Sequence, residues 1–144
     1  MAYFSYELEP ETGYYKTIHD WATSPVVDSA YAKGTKVHLT VTNFGEQNNK
    51  VFLRSKRAQR NFINEIVKQI ERRSADGVNL NFENVPKRFS ERFTNFVIQL
   101  SERLQKEGLE FSMAIPSEDP EYVYDFQTLV NFVDYFVMMG YDYH

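Results

Sequence analysis

The sequence predicts an α/β fold in which helices cover a parallel β-sheet. Three observations support this prediction. Apolar, β-branched segments alternate with amphipathic segments along the 144 residues, the connections between them are short, and no internal repeat or linker interrupts the order. Helices that return the chain to the same sheet edge favour parallel strands. An open doubly wound sheet and part of a (β/α)8 barrel both fit this order.

Five strands and four helices are predicted, and each follows from its composition. In chain order they are a strand at 2–6, a helix at 24–34, a strand at 36–44, a helix at about 55–73, a strand at 76–83, a helix at about 86–106, a strand at 109–116, a helix at about 125–133 and a last strand at 134–144. The segment after the first strand is rich in turn-forming residues and is predicted to be irregular.

Helix signals are clear in three of the four amphipathic segments. Pro25 suits a first helical position, and Gly34 suits the end of the same helix. The second helix carries Phe62, Ile66 and Ile70 at helical spacing. The third helix has a similar stripe that is rich in phenylalanine. These stripes predict helix faces that pack on the sheet.

The strand DGVNLNFE at 76–83 differs from the others because polar residues occupy alternate positions. Side chains of a strand alternate between its two faces. The apolar set is Val78, Leu80 and Phe82, and the polar set is Asn79, Asn81 and Glu83. The apolar set can pack under the helices, whereas a buried carboxylate is costly unless it is paired or hydrogen-bonded. The polar face is therefore either a hydrated sheet end or a candidate site.

Polar residues also follow the carboxyl ends of several predicted strands. These residues are Asn43, Glu83, Asn84, Ser117, Glu118, Tyr141 and Asp142. Ligands bind at this edge in both candidate architectures. No glycine-rich phosphate loop follows any strand, so the sequence gives no support for a nucleotide site.

Composition excludes several functional classes. The net charge of −4, from 16 basic and 20 acidic residues, indicates neither nucleic acid nor a membrane surface as a partner. The absence of cysteine excludes disulfides and cysteine-ligated zinc. His19, His38 and His144 lack metal-ligand spacing, so no metal or other cofactor is expected, and His38 is interpreted as structural. The basic segment 54–60 is typical of a solvated helix start.

Two motifs taken together resemble the family 18 glycoside hydrolases, which are chitinase-like (β/α)8 barrels. Their fourth strand carries D-G-x-D-x-D-x-E, the pattern that residues 76–83 occupy, and their sixth strand ends in M-x-Y-D, which MGYD at 139–142 matches. The segment GVNLNFENV especially resembles the bacterial cell-wall and spore-cortex branch. The resemblance implies a partial (β/α)8 TIM barrel that holds the family's strands two to six.

A partial barrel has consequences for the domain. A complete barrel needs about 250 residues and eight strands. Residues 1–144 are therefore expected to be a fragment of the catalytic barrel that lacks N-terminal and C-terminal strands and is inactive alone. Two open sheet edges would allow self-association. No signal peptide is evident at the start, and the resemblance implies a longer parent protein that is secreted or in the cell envelope.

The resemblance also implies a reaction, namely retaining hydrolysis of β-linked N-acetylglucosamine glycans of the chitin or peptidoglycan type. In this family the 2-acetamido group of the substrate acts as the nucleophile, and the position of the general acid/base falls on Glu83. Asn81 stands where the family has an aspartate that orients the acetamide. Tyr141 falls on the position that donates a hydrogen bond to the acetamide carbonyl.

Further residues are implied to contact the glycan, and an alternative function stays open. The implied substrate-binding residues are Asp76, Asn79, Met139, Asp142 and Tyr6. Because Asn81 brings no negative charge and the barrel is incomplete, the alternative is a weak or inactive chitinase-like protein that binds carbohydrate without cleaving it.

Overall fold

The computed structural model describes residues 1–140 as an open, six-stranded sheet with helices between its strands. The elements in chain order are β1 (Ala2–Leu8), β2 (Tyr15–Thr17), α1 (Pro25–Ala32), β3 (His38–Phe44), α2 (Glu46–Arg54), α3 (Lys56–Arg73), β4 (Gly77–Glu83), a 3-10 turn (Lys87–Phe89), α4 (Ser90–Lys106), β5 (Glu110–Pro116), α5 (Phe126–Leu129) and β6 (Tyr135–Met139). None of the helices in this part of the chain is long and apolar enough to cross a membrane.

The sheet has the strand order β2-β1-β3-β4-β5-β6. All neighbouring strands from β1 to β6 pair in parallel, and β2 alone is antiparallel, on the outer edge of β1. The predicted parallel α/β fold is therefore confirmed, and the arrangement is consistent with part of a barrel. One of the two expected open edges is partly covered by β2, and β6 forms the other edge of the described sheet.

Two elements were not predicted, and one is shorter than predicted. The short strand β2 lies in a segment whose turn residues obscure it. The segment of α2, EQNNKVFLR, has only three apolar residues and they are adjacent, so its apolar pattern is too short to predict a helix. The helix predicted at about 125–133 is regular only at Phe126–Leu129.

Four phenylalanine rings form the centre of the core between the helices and the sheet. The Phe52 ring of α2 lies 6.0 Å from Phe62 of α3, 5.7 Å from Phe82 of β4 and 5.0 Å from Phe96 of α4, measured between ring centroids. All four side chains are fully buried or nearly so. Since each ring comes from a different element, the cluster fixes three helices to β4.

A bulge in β1 moves Tyr6 away from its predicted position. The register of β1 against β3 shifts between Phe4 and Tyr6, which aligns Tyr6 with Val41 in the core. Tyr6 is fully buried, its hydroxyl donates to the Gly13 carbonyl at 2.9 Å, and its ring packs on Phe62. The bulge reverses the alternation of side chains, so Tyr6 packs in the core, and its contact with a sugar stays a prediction.

Replacing Phe52 by alanine tests the docking of α2. We expect Phe52→Ala to lower the free energy of unfolding by about 3–5 kcal/mol, because it empties a fully buried ring position. Val130→Ala is the matched control, since Val130 is 58% exposed, and its effect should stay within about 0.5 kcal/mol. Urea unfolding followed by circular dichroism measures both. Equal effects of the two substitutions would contradict the central position of Phe52.

Candidate functional site

Glu83 is the last residue of β4, and its main chain is tightly held at the carboxyl edge of the sheet. The Glu83 carbonyl accepts hydrogen bonds from the Gly45 amide at 3.1 Å and from Asn49 Nδ2 at 2.8 Å. Asn49 is fully buried at the start of α2, and its Oδ1 accepts from Asn43 Nδ2 at 3.0 Å. The start of α2 therefore fixes the position from which the half-buried Glu83 side chain extends.

Tyr124 holds the same strand end from the other side. Its hydroxyl donates to the Phe82 carbonyl at 3.1 Å. Burial raises the pKa of Tyr124 well above the ordinary range, and the charges of Asp119 and Glu83 raise it further, so the hydroxyl stays a donor. The Asp119 carboxylate accepts from the amides of Val123 and Tyr124, both at 2.9 Å. The loop after β5 is thereby locked against β4.

A cavity of about 490 Å³ opens between β4, β6 and the loop after β5. This volume is in the range of small-molecule sites, roughly 300–1,000 Å³. Its lining includes the Glu83 and Met139 side chains and four residues of the loop that carry charge or aromatic area: Glu118, Asp119, Glu121 and Tyr124. The cavity is therefore acidic, with Glu83 at the end of the central strand.

Asn81 lies two residues before Glu83 on the same face of β4. Its side chain is only 4% exposed, and its Oδ1 has no hydrogen-bond partner within residues 1–140. A buried acceptor without a donor destabilises a fold by about 1–3 kcal/mol, so such groups are uncommon. The Asn81 Oδ1 is therefore an unused acceptor on the polar face of β4, and Asn81 is not among the described residues that line the cavity.

Asn79 lies two residues before Asn81 on the same face of β4, and its side chain forms hydrogen bonds with the neighbouring strands β3 and β5. Its Nδ2 donates to Thr40 Oγ1 at 3.3 Å, and its Oδ1 accepts from Ser112 Oγ at 3.0 Å. Asn79 is 3% exposed. The predicted substrate contact from Asn79 is replaced in this structure by cross-strand bonds, which place it beneath the site.

A polar chain continues from Ser112 toward the amino edge of the sheet. His38 Nδ1 lies 2.8 Å from Ser112 Oγ, and His38 Nε2 lies 3.0 Å from Glu110 Oε2. Lys36 donates to Glu110, and this hydrogen bond lowers the pKa of Glu110; burial opposes the shift and His38 adds to it. His38 therefore has the structural role that the sequence predicted.

Asp76 lies at the opposite end of β4 from Glu83. Its carboxylate accepts from the Val37 amide at 2.7 Å, and its main-chain carbonyl accepts from the Glu110 amide at 2.9 Å. At about 3.3 Å per residue, the length of β4 separates Asp76 from Glu83 by roughly 23 Å. Asp76 thus joins three strands at their amino ends, and its contact with substrate stays a prediction.

The predicted residues of the last strand divide between described and undescribed parts. Met139 lies at the end of β6 and lines the cavity beside Glu83. Tyr141 and Asp142 lie outside the described residues. Among residues 1–140, no group of three His, Cys, Asp or Glu side chains could hold a metal ion.

Sequence reasoning missed Asn49 and Tyr124. Asn49 lies in the unpredicted helix α2, where nothing in the sequence distinguishes it from the neighbouring Asn48. Tyr124 precedes the predicted helix at about 125–133, and its role depends on a contact with β4, 42 residues earlier. Neither contact is encoded in local spacing.

Comparison with known proteins identifies relatives of this arrangement. The family profile described as "Glycosyl hydrolases family 18" matches residues 11–144. The protein YdhD of Bacillus subtilis strain 168, whose name suggests a sporulation-specific glycosylase, is 25% identical over 154 positions, which cover 100% of this chain and 36% of YdhD.

Solved structures of similar proteins have the same fold. The YdhD crystal structure superposes with a TM-score of 0.88 at 25% identity and covers 99% of this chain and 50% of that one. The spore cortex-lytic enzyme SleL of Bacillus cereus superposes with a TM-score of 0.85 at 26% identity, and the match covers 99% of this chain and 34% of SleL. A class V chitininase of Pseudomonas fluorescens Pf-5 superposes with a TM-score of 0.85 at 25% identity, and the match covers 98% of this chain and 46% of the chitininase. The chain thus spans half or less of each of these proteins.

Asn49→Ala tests the anchoring of Glu83. We expect it to lower the free energy of unfolding by about 2–3 kcal/mol, because buried partners of Asn49 lose their hydrogen bonds. Asn48→Ala is the matched control: the neighbouring Asn48 is less buried, and its side chain donates to the exposed Phe44 carbonyl, so a change below about 1 kcal/mol is expected. Urea unfolding of both variants is the measurement, and a loss for Asn49→Ala no larger than for Asn48→Ala would refute the anchoring role.

The pH dependence of the stability of Glu110→Gln tests the hydrogen bonds that link Lys36, Glu110 and His38. A carboxylate with a lowered pKa stabilises the fold above its unfolded pKa, ordinarily 4.5, and loses this effect as pH falls through the folded value. The difference in unfolding free energy between wild type and Glu110→Gln should therefore be largest near neutral pH. It should shrink as pH falls below about 4.5. The exposed Glu71→Gln is the control, and a difference for Glu110→Gln that is independent of pH would be inconsistent with the proposed ion pair.

Proposed function

The chain belongs to family 18 of the glycosyl hydrolases, and on that basis we propose that it supplies the acid-bearing edge of a barrel that cleaves β-linked N-acetylglucosamine glycans. The observation that carries this proposal is the position of Glu83. It ends the central strand at the wall of a cavity, which Met139 also lines. It follows by two residues the buried Asn81, whose carbonyl oxygen has no hydrogen-bond partner in the part of the chain that the structure describes.

Glu83 acts first as an acid and then as a base in the proposed reaction. The protonated Glu83 gives its proton to the glycosidic oxygen as the bond to the anomeric carbon breaks. The carbonyl oxygen of the sugar's own 2-acetamido group attacks that carbon and closes a bicyclic oxazolinium ion. Water then attacks the anomeric carbon while Glu83 takes its proton, the bond from that carbon to the acetamide oxygen breaks, and the product keeps the β configuration. Because the substrate supplies the nucleophile, no second catalytic carboxylate is needed.

Asn81 orients the acetamide in this scheme. Its Oδ1 accepts the acetamide N–H and so turns the carbonyl oxygen toward the anomeric carbon. An amide brings no negative charge to stabilise the oxazolinium ion, whereas the family's aspartate does. The loss of such a preorganised partner slows a reaction by roughly 10²–10³. We therefore propose a slow enzyme rather than one as fast as relatives that carry the aspartate.

Tyr141 and Met139 complete the proposed subsite. Tyr141 stands at the family position that donates a hydrogen bond to the acetamide carbonyl, and Asp142 follows it in the same motif. Met139 contributes apolar area at the wall of the cavity. The cortex-lytic function in the name of SleL and the chitininase name of the Pseudomonas protein support two substrate types, peptidoglycan and chitin.

We also propose that the chain is the middle part of a longer barrel. The five parallel strands and their helices correspond to strands two to six of a (β/α)8 barrel. On the edge strand β6, Tyr135, Val137 and Met138 are each at least half exposed. Apolar side chains on an edge strand are what a following strand and its helix would cover.

Carbohydrate binding without cleavage is the second candidate function. The neutral Asn81 favours it, because an amide can hold the acetamide without stabilising the charged intermediate. Retention of Glu83 favours the enzyme, since a binding protein has less need of the acid. The two functions differ in their dependence on Glu83.

A paired assay of turnover and binding separates these functions. In a polypeptide that contains this chain within a closed barrel, Glu83→Gln should reduce hydrolysis of a chitin hexamer by at least about 10²-fold and leave its dissociation constant within about threefold. Asn81→Asp should raise turnover by at least about tenfold because it restores the charge. The exposed Glu102→Gln is the control for both.

Each result of this assay has a defined meaning. Binding of the hexamer with no turnover in either the wild type or Asn81→Asp would refute the enzyme and support the binding protein. Turnover that persists in Glu83→Gln would remove Glu83 from the acid role.

A further inference from the structure

Three arginine side chains converge on the ring of Phe89, outside the cavity. The guanidinium carbons of Arg54, Arg88 and Arg92 lie 5.3, 5.7 and 5.9 Å from the centroid of this ring. Phe89 itself is only 4% exposed, whereas all three arginines are exposed. The ring thus holds three positive charges close together at the surface, and we refer to these three residues as the arginine cluster.

Each member of the arginine cluster comes from a different element, and within residues 1–140 none forms an ion pair with a carboxylate. Arg54 ends α2, Arg88 lies in the 3-10 turn and Arg92 lies in the first turn of α4. The acidic Glu46 is near Arg88 but binds Lys50 at 2.9 Å. The cluster therefore keeps a local positive charge on a chain whose net charge is −4.

The arginine cluster is joined to the wall of the acidic cavity. Lys87, next to Arg88, donates to the Tyr122 carbonyl, and Ser90 donates to the Val123 carbonyl. These bonds attach the start of α4 to the loop that lines the cavity. Arg88 follows Glu83 by five residues, so their Cα atoms are at most about 18 Å apart. The turn that carries Arg88 is therefore in direct contact with the loop that lines the cavity.

We propose that the arginine cluster binds the anionic groups of an acidic polysaccharide whose neutral sugars occupy the cavity. The cavity carboxylates repel anions, whereas the cluster attracts them, so the two surfaces together select a glycan with anionic groups beyond the cleaved sugar. Guanidinium groups form paired hydrogen bonds with carboxylate and with phosphate. The inference rests on the proposed function, because it takes the glycan in the cavity and the anion on the cluster to be one molecule.

The aromatic ring gives the cluster an arrangement suited to this task. Attraction to the ring face restrains three long side chains that would otherwise move independently in water. Mutual repulsion between the three cations is relieved when an anion binds among them. Because the ring already restrains these arginines, they lose less conformational entropy on binding an anion than freely moving arginines would, and this favours affinity.

Binding of three defined polymers by a polypeptide that contains this chain within a closed barrel tests this proposal. The probes are soluble peptidoglycan strands, which carry carboxylates, a teichoic acid of the polyol-phosphate type, and a neutral chitin hexamer. The test variant is Arg54→Gln, Arg88→Gln and Arg92→Gln combined. The control combines Lys33→Gln, Arg72→Gln and Lys106→Gln. It removes the same charge from exposed positions at the carboxyl ends of α1, α3 and α4.

We expect the test variant to bind an anionic polymer roughly tenfold more weakly at low salt and the control to change by less than about twofold. Raising the salt should remove most of the difference because the cluster is exposed. Whichever anionic polymer shows the larger loss identifies carboxylate or phosphate as the natural group. Binding of the chitin hexamer should be unchanged in both variants.

Equal losses in test variant and control, or equal loss for the neutral hexamer, would overturn the proposal. If the combined variant does not fold by circular dichroism, Arg88→Gln alone is compared with Arg72→Gln, and a loss of about two- to threefold is expected only for Arg88→Gln. Glu83→Gln separates this test from that of the proposed reaction. Glu83→Gln should leave the binding of the anionic polymers intact. The hydrolysis assay and the binding assay can therefore fail independently of each other.

Discussion

The hydrogen bonds that hold the end of β4 are the constraint on which the candidate site depends. The Phe82 carbonyl accepts from Tyr124, and the Glu83 carbonyl accepts from Gly45 and Asn49. These contacts draw the start of α2 and the loop after β5 onto one strand end. The cavity forms between that loop and β6, so the same bonds that position Glu83 also shape the space in front of it.

Alternation along β4 separates two environments that require opposite chemistry. On the helix side, Phe82 stacks on Phe96 within an aromatic core. On the other side, Asn79 bonds to neighbouring strands, and within residues 1–140 the Asn81 Oδ1 has no hydrogen-bond partner. A polar group buried without a partner destabilises the fold, and such groups are uncommon in native structures. Charge is segregated as well, with carboxylates around the cavity and arginines beside it.

The sequence was sufficient to predict the parallel sheet and the two faces of β4, because both follow from periods of two and 3.6 residues. It also predicted Glu83 and Met139 at the carboxyl edge, since strand ends determine which residues meet there. It could not predict the packing of Tyr6, because a bulge reverses the alternation there, or the hydrogen bonds by which Asp76 ties the amino ends of three strands together. Asn49 and Tyr124 could not be predicted, because they act through contacts with residues far away in the sequence.

The central claim is that Glu83 and Asn81 form a site for a glycan whose acetamide takes part in the reaction. Its most direct test is the affinity of a polypeptide that contains this chain within a closed barrel for a thiazoline derivative of N-acetylglucosamine, a stable analogue of the oxazolinium ion, relative to N-acetylglucosamine itself. The account predicts that the analogue binds at least roughly tenfold more tightly, because reaction intermediates fit such sites better than substrates. It also predicts that Asn81→Ala abolishes the preference. Equal affinity for the two compounds would contradict the account.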